Sequence, residues 1–219
     1  MGSASNASKS ARCGAASTWV TWTSLLLGQA GVWRTLLGVI EDHQIKPFST
    51  LPATLAFGYL ESPIGPLMVA GDEASLHGIS FSTGRHQLEP RKEWRRDDQL
   101  FKDAFEQLKA YFRGELTDFN LSLEFEGTAF QKTVWQALID IPFGETVSYG
   151  ALAETIGQPK ASRAVGAANG ANPLPIVAPC HRVIGANCSL TGFGGGLETK
   201  RFLLDHERRI AGRQGLLPF

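Results

Sequence analysis

Cys180 and His181 stand side by side in Asn172-Pro173-Leu174-Pro175-Ile176-Val177-Ala178-Pro179-Cys180-His181-Arg182-Val183-Ile184, and this pair offers the most reactive chemistry in the chain. The thiolate is the nucleophilic form of cysteine, and a base beside it lowers the cost of forming it. Three prolines stiffen the approach, and Ile176, Val177, Val183 and Ile184 read as buried flanks that hold the pair in place. The competing reading is an inert buried cysteine, the usual fate of a lone one. Cys13, Cys180 and Cys188 are odd in number and form no C-x-x-C pair. That favours thiols in a reducing compartment over a disulfide framework. His43, His77 and His86 stand far apart and none falls at a ligand-pair spacing with a cysteine, so no metal is expected. His77 and His86 read as surface or satisfied core residues.

The elements that must position Cys180 lie around it in the last third of the sequence. Thr128-Ala129-Phe130-Gln131 has the T-x-x-Q form of a capping box, followed by Val134, Trp135 and Leu138 on one helical face, and Pro142-Phe143-Gly144 ends that helix. Ser148 is placed to cap a short helix running through Ile156. Gly157-Gln158-Pro159 breaks it, and a second helix runs from about Lys160 to Ala171. Two short helices around a three-residue, Gly-containing turn have the form of a helix-turn-helix. The second is small on its surface, with Ala161, Ala164, Gly166, Ala167, Ala168 and Gly170, and Arg163 is the long cation on that face. Small side chains permit close approach to a duplex, and they equally suit two core helices packed through Ala and Gly. Gly192-Phe193-Gly194-Gly195-Gly196 then leads into a helix through Lys200, Phe202, Leu203 and His206. As a phosphate cradle this loop is a weak signal, because it lacks a clear preceding strand and a Walker lysine.

Upstream, apolar runs at Leu55 to Leu60, Leu67 to Ala70 and Leu76 to Phe81, divided by Pro/Gly/Asp turns, predict an antiparallel meander. Leu100, Phe101, Ala104, Phe105, Leu108, Tyr111 and Phe112 recur at three and four residues and predict a helix from Asp97 to Phe112, stopped by Gly114. Phe119 to Phe125 is expected to return as a strand. Nothing in this unit offers a nucleophile, which assigns it a scaffold role. Between Arg12 and Arg34 an uncharged stretch holds three of the five tryptophans, but Ser, Thr and Gln dilute it below what a membrane span needs. Residues 1–52 are expected to be an extension outside the fold.

The 219 residues carry 21 basic and 21 acidic groups, with 43% hydrophobic and 19% charged residues. This is a globular composition that excludes collagenous, disordered and disulfide-scaffold classes. The balance is uneven: residues 51–127 carry 8 basic and 13 acidic groups, and residues 128–219 carry 9 and 6. A polyanionic partner is therefore expected at the C-terminal third.

Pro179-Cys180-His181-Arg182-Val183-Ile184, preceded by Arg163-Ala164-Val165-Gly166 and Asn172-Pro173 and followed by Gly194-Gly195-Gly196-Leu197-Glu198, resembles the methylated-DNA–protein-cysteine methyltransferases, the O6-alkylguanine-DNA alkyltransferases. The likeness is continuous from about Phe130 to Glu207. The segment from Leu55 also resembles the family's N-terminal domain, and the first fifty residues match nothing in it. The resemblance implies an α/β (α+β) fold with four parts. Residues 53–126 form a small RNase H-like sheet-plus-helix domain, and residues 127–212 a mostly helical domain with a winged-helix-like helix-turn-helix. Residues 1–52 stand before them, and residues 213–219 form a tail.

The resemblance further implies that Cys180 takes the alkyl group from O6 of guanine, with O4 of thymine a further target, and keeps it as a thioether. Each molecule then reacts once, without a cofactor. His181 would act as base through a water and Glu207 would orient it. Asn172 would hold the turn into the reactive segment, and Tyr149 would contact the target nucleotide and assist departure of the guanine. Arg163 would fill the gap left by an extruded nucleotide. Ala164, Ala167, Ala168 and Asn169 would lie with Arg163 and Tyr149 against the minor groove. Val183, Gly194 and Gly195 would line the base pocket. Gly194 stands where the family often has a small hydroxyl or Ala, and Cys188 where it commonly has Gly, so Cys188 reads as an accidental surface thiol. His206 is expected at the surface. The implied partner is double-stranded DNA containing O6-alkylguanine, with no membrane, a monomeric state, and a cytoplasmic location, or a nuclear one in a eukaryote. The alternative is a damage-sensing or regulatory helix-turn-helix module without transfer, and a Cys-His hydrolase is a third reading. Stoichiometry separates the three.

Overall fold

The computed structural model describes Phe48 and residues 50–84 and 87–212. The apolar runs upstream form strands β1 (Ala56–Leu60), β2 (Leu67–Gly71) and β3 (Leu76–Phe81), joined as the antiparallel meander that the turn residues require. A two-residue strand, β4 (Arg95–Arg96), pairs parallel with β1, giving the order β3-β2-β1-β4. Sequence patterning gave no sign of β4, since both its side chains are exposed and carry no hydrophobic signal. Residues 119–125 do not form the expected strand. Leu123 makes a single parallel bridge to Leu76, and Phe119 turns its ring to Tyr111 instead of extending the sheet.

Helix α1 (Lys102–Arg113) starts five residues later than the periodicity suggests, because Asp97 caps a preceding turn by accepting from the Leu100 N–H. Gly114 ends it at φ 78°, a left-handed conformation that glycine adopts without steric cost. Ala104, Phe105, Leu108 and Tyr111 bury one face of α1 against the sheet.

Helix α2 (Ala129–Ile139) opens on a complete capping box: the Gln131 N–H donates to Thr128 Oγ1, and the Thr128 N–H donates to Gln131 Oε1. Strand β5 (Val147–Ser148) leads into α3 (Tyr149–Thr155), which Ser148 caps by accepting from the Ala151 N–H. Helix α4 (Ser162–Gly170) follows. The connection between α3 and α4 spans residues 156–161 rather than three, because Lys160 and Ala161 stay in the turn. Trp135 of α2, 1% exposed, donates its indole N–H to the Ala168 carbonyl at 2.7 Å and locks α2 to α4. Truncating so large a buried ring costs about 3–5 kcal/mol. The reactive segment ends in a 3₁₀ turn (Cys180–Arg182) and strand β6 (Val183–Ile184), which pairs parallel with β5. Helix α5 (Leu197–Ile210) closes the fold.

The expected boundary of the N-terminal extension at residue 52 needs correcting, because its last residues pack onto the sheet. Leu51 is 3% exposed and shares a core with Leu55, Met68, Ala70 and Trp94. The uncharged stretch between Arg12 and Arg34, His43, His86 and the 213–219 tail lie outside the described residues. Among the described residues, no helix is long and apolar enough to cross a membrane, and no cluster of three or more ligating side chains is placed to hold a metal.

Candidate active site

The reactive segment is held from both ends. Asn172 donates from Nδ2 to the Ala178 carbonyl at 2.7 Å and accepts from the Leu174 N–H at Oδ1, so one side chain bridges the segment ahead of Cys180. From the sheet, the Ile79 N–H of β3 donates to the Pro173 carbonyl at 2.8 Å. Ile176 between these anchors is fully buried at φ 75°, an unfavourable conformation for a β-branched residue that the packing on all sides enforces.

Cys180 opens the 3₁₀ turn and is 4% exposed. Burial pushes its thiol pKa up, while the Asn172 side chain and the charge of Lys200 pull the other way. His181 is completely buried, with Nε2 2.9 Å from Oε1 of Glu207 on α5. An ionised carboxylate only accepts, so the Nε2 proton points at Glu207 and Nδ1 carries the lone pair. Nδ1 has no hydrogen-bond partner among the described residues.

Burial alone would raise the Glu207 carboxyl pKa, but His181 and Arg182 outweigh it and hold the group well below the usual carboxylate range. Arg182 donates to Glu207 twice, from Nε and from a terminal nitrogen, each at 2.9 Å. Tyr111 of α1 donates its hydroxyl to Oε1 at 2.8 Å, and the Gly144 N–H donates to Oε2 at 3.0 Å. For His181, burial is the largest effect and pushes its pKa down. Glu207 opposes it, and the cations Arg182 and Lys200 add to the lowering. The imidazole is therefore neutral near pH 7 and able to take a proton.

Three residues of this arrangement were not among the candidates from sequence. Arg182 sits inside the P-C-H-R motif, and that position was the available signal. Lys200 is completely buried, donating from Nζ to the carbonyls of Val183 and Thr191. Burial pulls its pKa down to about 8. On an amphipathic helix it reads as one more surface lysine. Tyr111 reaches in from the unit that patterning assigned to scaffold alone. His206, expected at the surface, is 4% exposed with Nε2 2.9 Å from the Tyr111 carbonyl, because α5 packs this face against α1.

Two cavities with shared walls lie beside Cys180, an inner one that it lines and an outer one that it does not. The outer one, about 430 Å³, is bordered by Tyr149, Gly166, Gly170, Phe193 and Gly194. The inner one, about 20 Å³, is lined by Cys180, Asn172, Asn169 and Pro175 and shares Gly170, Phe193 and Gly194 with the outer. Gly194 thus borders both. Val183 and Gly195 line neither chamber: Val183 is fully buried with its carbonyl taken by Lys200, and Gly195 lies so close to Phe81 that a Cβ would sit 2.8 Å from the ring. Tyr149 opens α3, half-buried, and its hydroxyl accepts from Thr191 Oγ1 at 3.3 Å.

On α4, Arg163, Ala164 and Ala167 are exposed together. Ala168 and Asn169 are not on that face: they are 4% and 2% exposed, turned inward by the helical period. Asn169 donates instead to the Cys180 carbonyl at 3.3 Å. Cys188 holds φ 62°, the left-handed region that favours the glycine its relatives were expected to have there.

The family model described as 6-O-methylguanine DNA methyltransferase, ribonuclease-like domain, matches residues 55–125, and its DNA binding domain matches residues 129–209. A methylated-DNA–protein-cysteine methyltransferase from Methanosarcina acetivorans is 52% identical over 151 residues, covering 69% of this chain and 97% of that protein. Its namesake from Mycobacterium tuberculosis is 50% identical over 152 residues, covering 69% and 92%. The crystal structure of Mycobacterium tuberculosis OGT in complex with DNA superposes with a TM-score of 0.67 at 48% identity, covering 71% of this chain and 94% of that one. With both domains matched and about half the residues identical across nearly the whole of these relatives, the chain belongs to the methylated-DNA–protein-cysteine methyltransferase family.

Proposed function

We infer that this chain is a DNA repair protein that removes alkyl groups from O6 of guanine by irreversible transfer to its own Cys180. The observation that carries the role of Cys180 is the buried line from its turn through His181 to Glu207, with Cys180 itself lining the inner of two cavities that share walls. In this reading the outer chamber takes the extruded base and the inner one the alkyl group. His181 Nδ1 takes the thiol proton through a bridging water, and Glu207 stabilises the imidazolium. Sulfur attacks the alkyl carbon as the bond from carbon to O6 breaks. The electron pair stays on the guanine, and Tyr149 offers its hydroxyl to the departing base. The thioether has no route back, so one molecule repairs one lesion.

Arg163, Ala164 and Ala167 form the surface for double-stranded DNA in this assignment, with Arg163 entering the stack where the base leaves it. Damage arises in any sequence, which suits a face with little to read bases and room for close backbone approach. The scaffold domain occupies residues 53–126, with Phe48 and Leu51 packed onto its sheet, and the transfer domain residues 127–212. The location is the cytoplasm of a bacterial-type cell, where its DNA lies.

Intact mass spectrometry with peptide mapping tests the assignment, after incubation with a duplex holding O6-methylguanine. One methyl group per chain on Cys180 is expected, and no further turnover. Binding without an adduct would leave a damage sensor and withdraw the roles of His181 and Glu207. Repeated turnover would indicate a hydrolase.

A further inference from the structure

The inner chamber has a wall from outside both family matches. Phe48 lines it together with Ile79, Phe81, Pro175 and Cys180, although the matched regions begin at residue 55. Phe48 and residues 50–52 are anchored at several points. Arg91 donates to the carbonyls of Phe48, Leu51 and Pro52, and the Trp94 indole donates to Pro52. Thr50 Oγ1 donates to the Glu126 carbonyl at 2.8 Å, and Leu51 is buried. The strap lies against β3 at Gly78, where a Cβ would stand in ordinary contact with Leu51 at 3.5 Å and Phe48 at 3.7 Å. The next residue, Ile79, holds the reactive segment through Pro173, so β3 carries the strap on one side and the cysteine segment on the other.

We propose that Phe48 is a specificity-determining residue, the adjustable wall that limits the size of the group Cys180 accepts. The proposal rests on the reading that the inner chamber receives the alkyl group. Its volume of about 20 Å³ holds little more than one water-sized group and so suits a methyl. A larger group needs a wall to move. Ile79 and Phe81 are buried in the sheet, Phe193 is 9% exposed and Pro175 belongs to the anchored segment. Phe48 is only half-buried, and the strap's hydrogen bonds hold its backbone rather than its ring, so its ring is the aromatic or aliphatic wall that yields at least cost.

Single-turnover rates on duplexes carrying O6-methylguanine or O6-benzylguanine test this in the full chain, with Phe48→Ala and Phe48→Trp. The benzyl-to-methyl rate ratio should rise about tenfold in Phe48→Ala, the scale of a change in an apolar subsite, and fall in Phe48→Trp, which keeps an apolar anchor on the strap. A ratio unchanged in both variants, with Cys180 still alkylated, overturns the role of Phe48. Absence of alkylation in the unsubstituted chain overturns the functional reading, and this inference with it.

Discussion

Around Cys180, the side chains of Asn172, His181, Arg182, Lys200 and Glu207 are all buried and held by hydrogen bonds, whereas Arg163, Ala164 and Ala167 on the outer face of α4 stand in solvent. The reactive cluster gains from being dry and fixed. Charges there interact strongly, and under the proposed mechanism a proton would move along a preset line without reorganisation. The surface proposed to meet a duplex of arbitrary sequence would gain from the opposite: small side chains, little preorganised polarity and one long exposed cation. Changes in the first region should therefore act on chemistry and stability together, and changes in the second on DNA alone.

The contrast is broken most severely at the nucleophile. Cys180→Ala should abolish transfer while retaining binding to alkylated duplex in a mobility-shift assay. Loss of both would mean that the cysteine serves the fold.

Glu207→Gln should come next. Breaking a buried ion pair from one side costs about 3–5 kcal/mol, read as a lower midpoint in denaturant, and transfer should slow as His181 loses its orienter. The same variant gives a pH signature. Glu207 and His181 both have lowered pKa values when folded. The unfolded chain therefore binds more protons through the ordinary histidine and carboxylate ranges, and stability rises with pH across them. Melting temperature should fall on acidification below the usual histidine value of 6.5. In Glu207→Gln the histidine part of that fall remains, because Glu207 opposed the lowering at His181, while the part in the carboxylate range disappears with the carboxylate.

Arg163→Ala acts on the solvent-facing region instead. Repair in duplex should slow about tenfold, since extruding a base costs a few kcal/mol, with little change on free O6-benzylguanine and none in melting temperature. Equal slowing on both substrates would remove the intercalating role. The smallest effect is expected from starting the chain at Ile45, which should leave both regions and the alkyl range intact. A start at Ala53 removes the strap and should raise the benzyl-to-methyl ratio.

The reactive segment was legible because its chemistry is contiguous: Pro179 to Ile184 announce themselves in one motif. The capping box at Thr128 and Gln131, the Ser148 cap and the Gly114 stop were legible because each depends on neighbours three or four positions away. What patterning missed depends on partners far along the chain. Tyr111 and Glu207 meet across 96 positions, and Lys200 is buried only because the Val183 and Thr191 carbonyls come to it. Ala168 and Asn169 look like the rest of the small-residue face, yet Trp135 of α2 meets Ala168 and Asn169 turns to the Cys180 carbonyl. The strap carries no periodicity, and its place was set by Arg91 and Trp94, neither of which signals a ligand for it in sequence.

The carboxylate of Glu207 draws donors from α1, from the loop after α2 and from the 3₁₀ turn, and it is carried by α5 itself. One negative charge thus joins the N-terminal helix to the cysteine-bearing turn. Separating any of these pieces strands it in a dry interior, so the two halves gain little by opening independently. The protein should melt as one cooperative unit despite its two matched domains. A chain with its scaffold half disrupted should then have no competent thiol left to spend on a lesion.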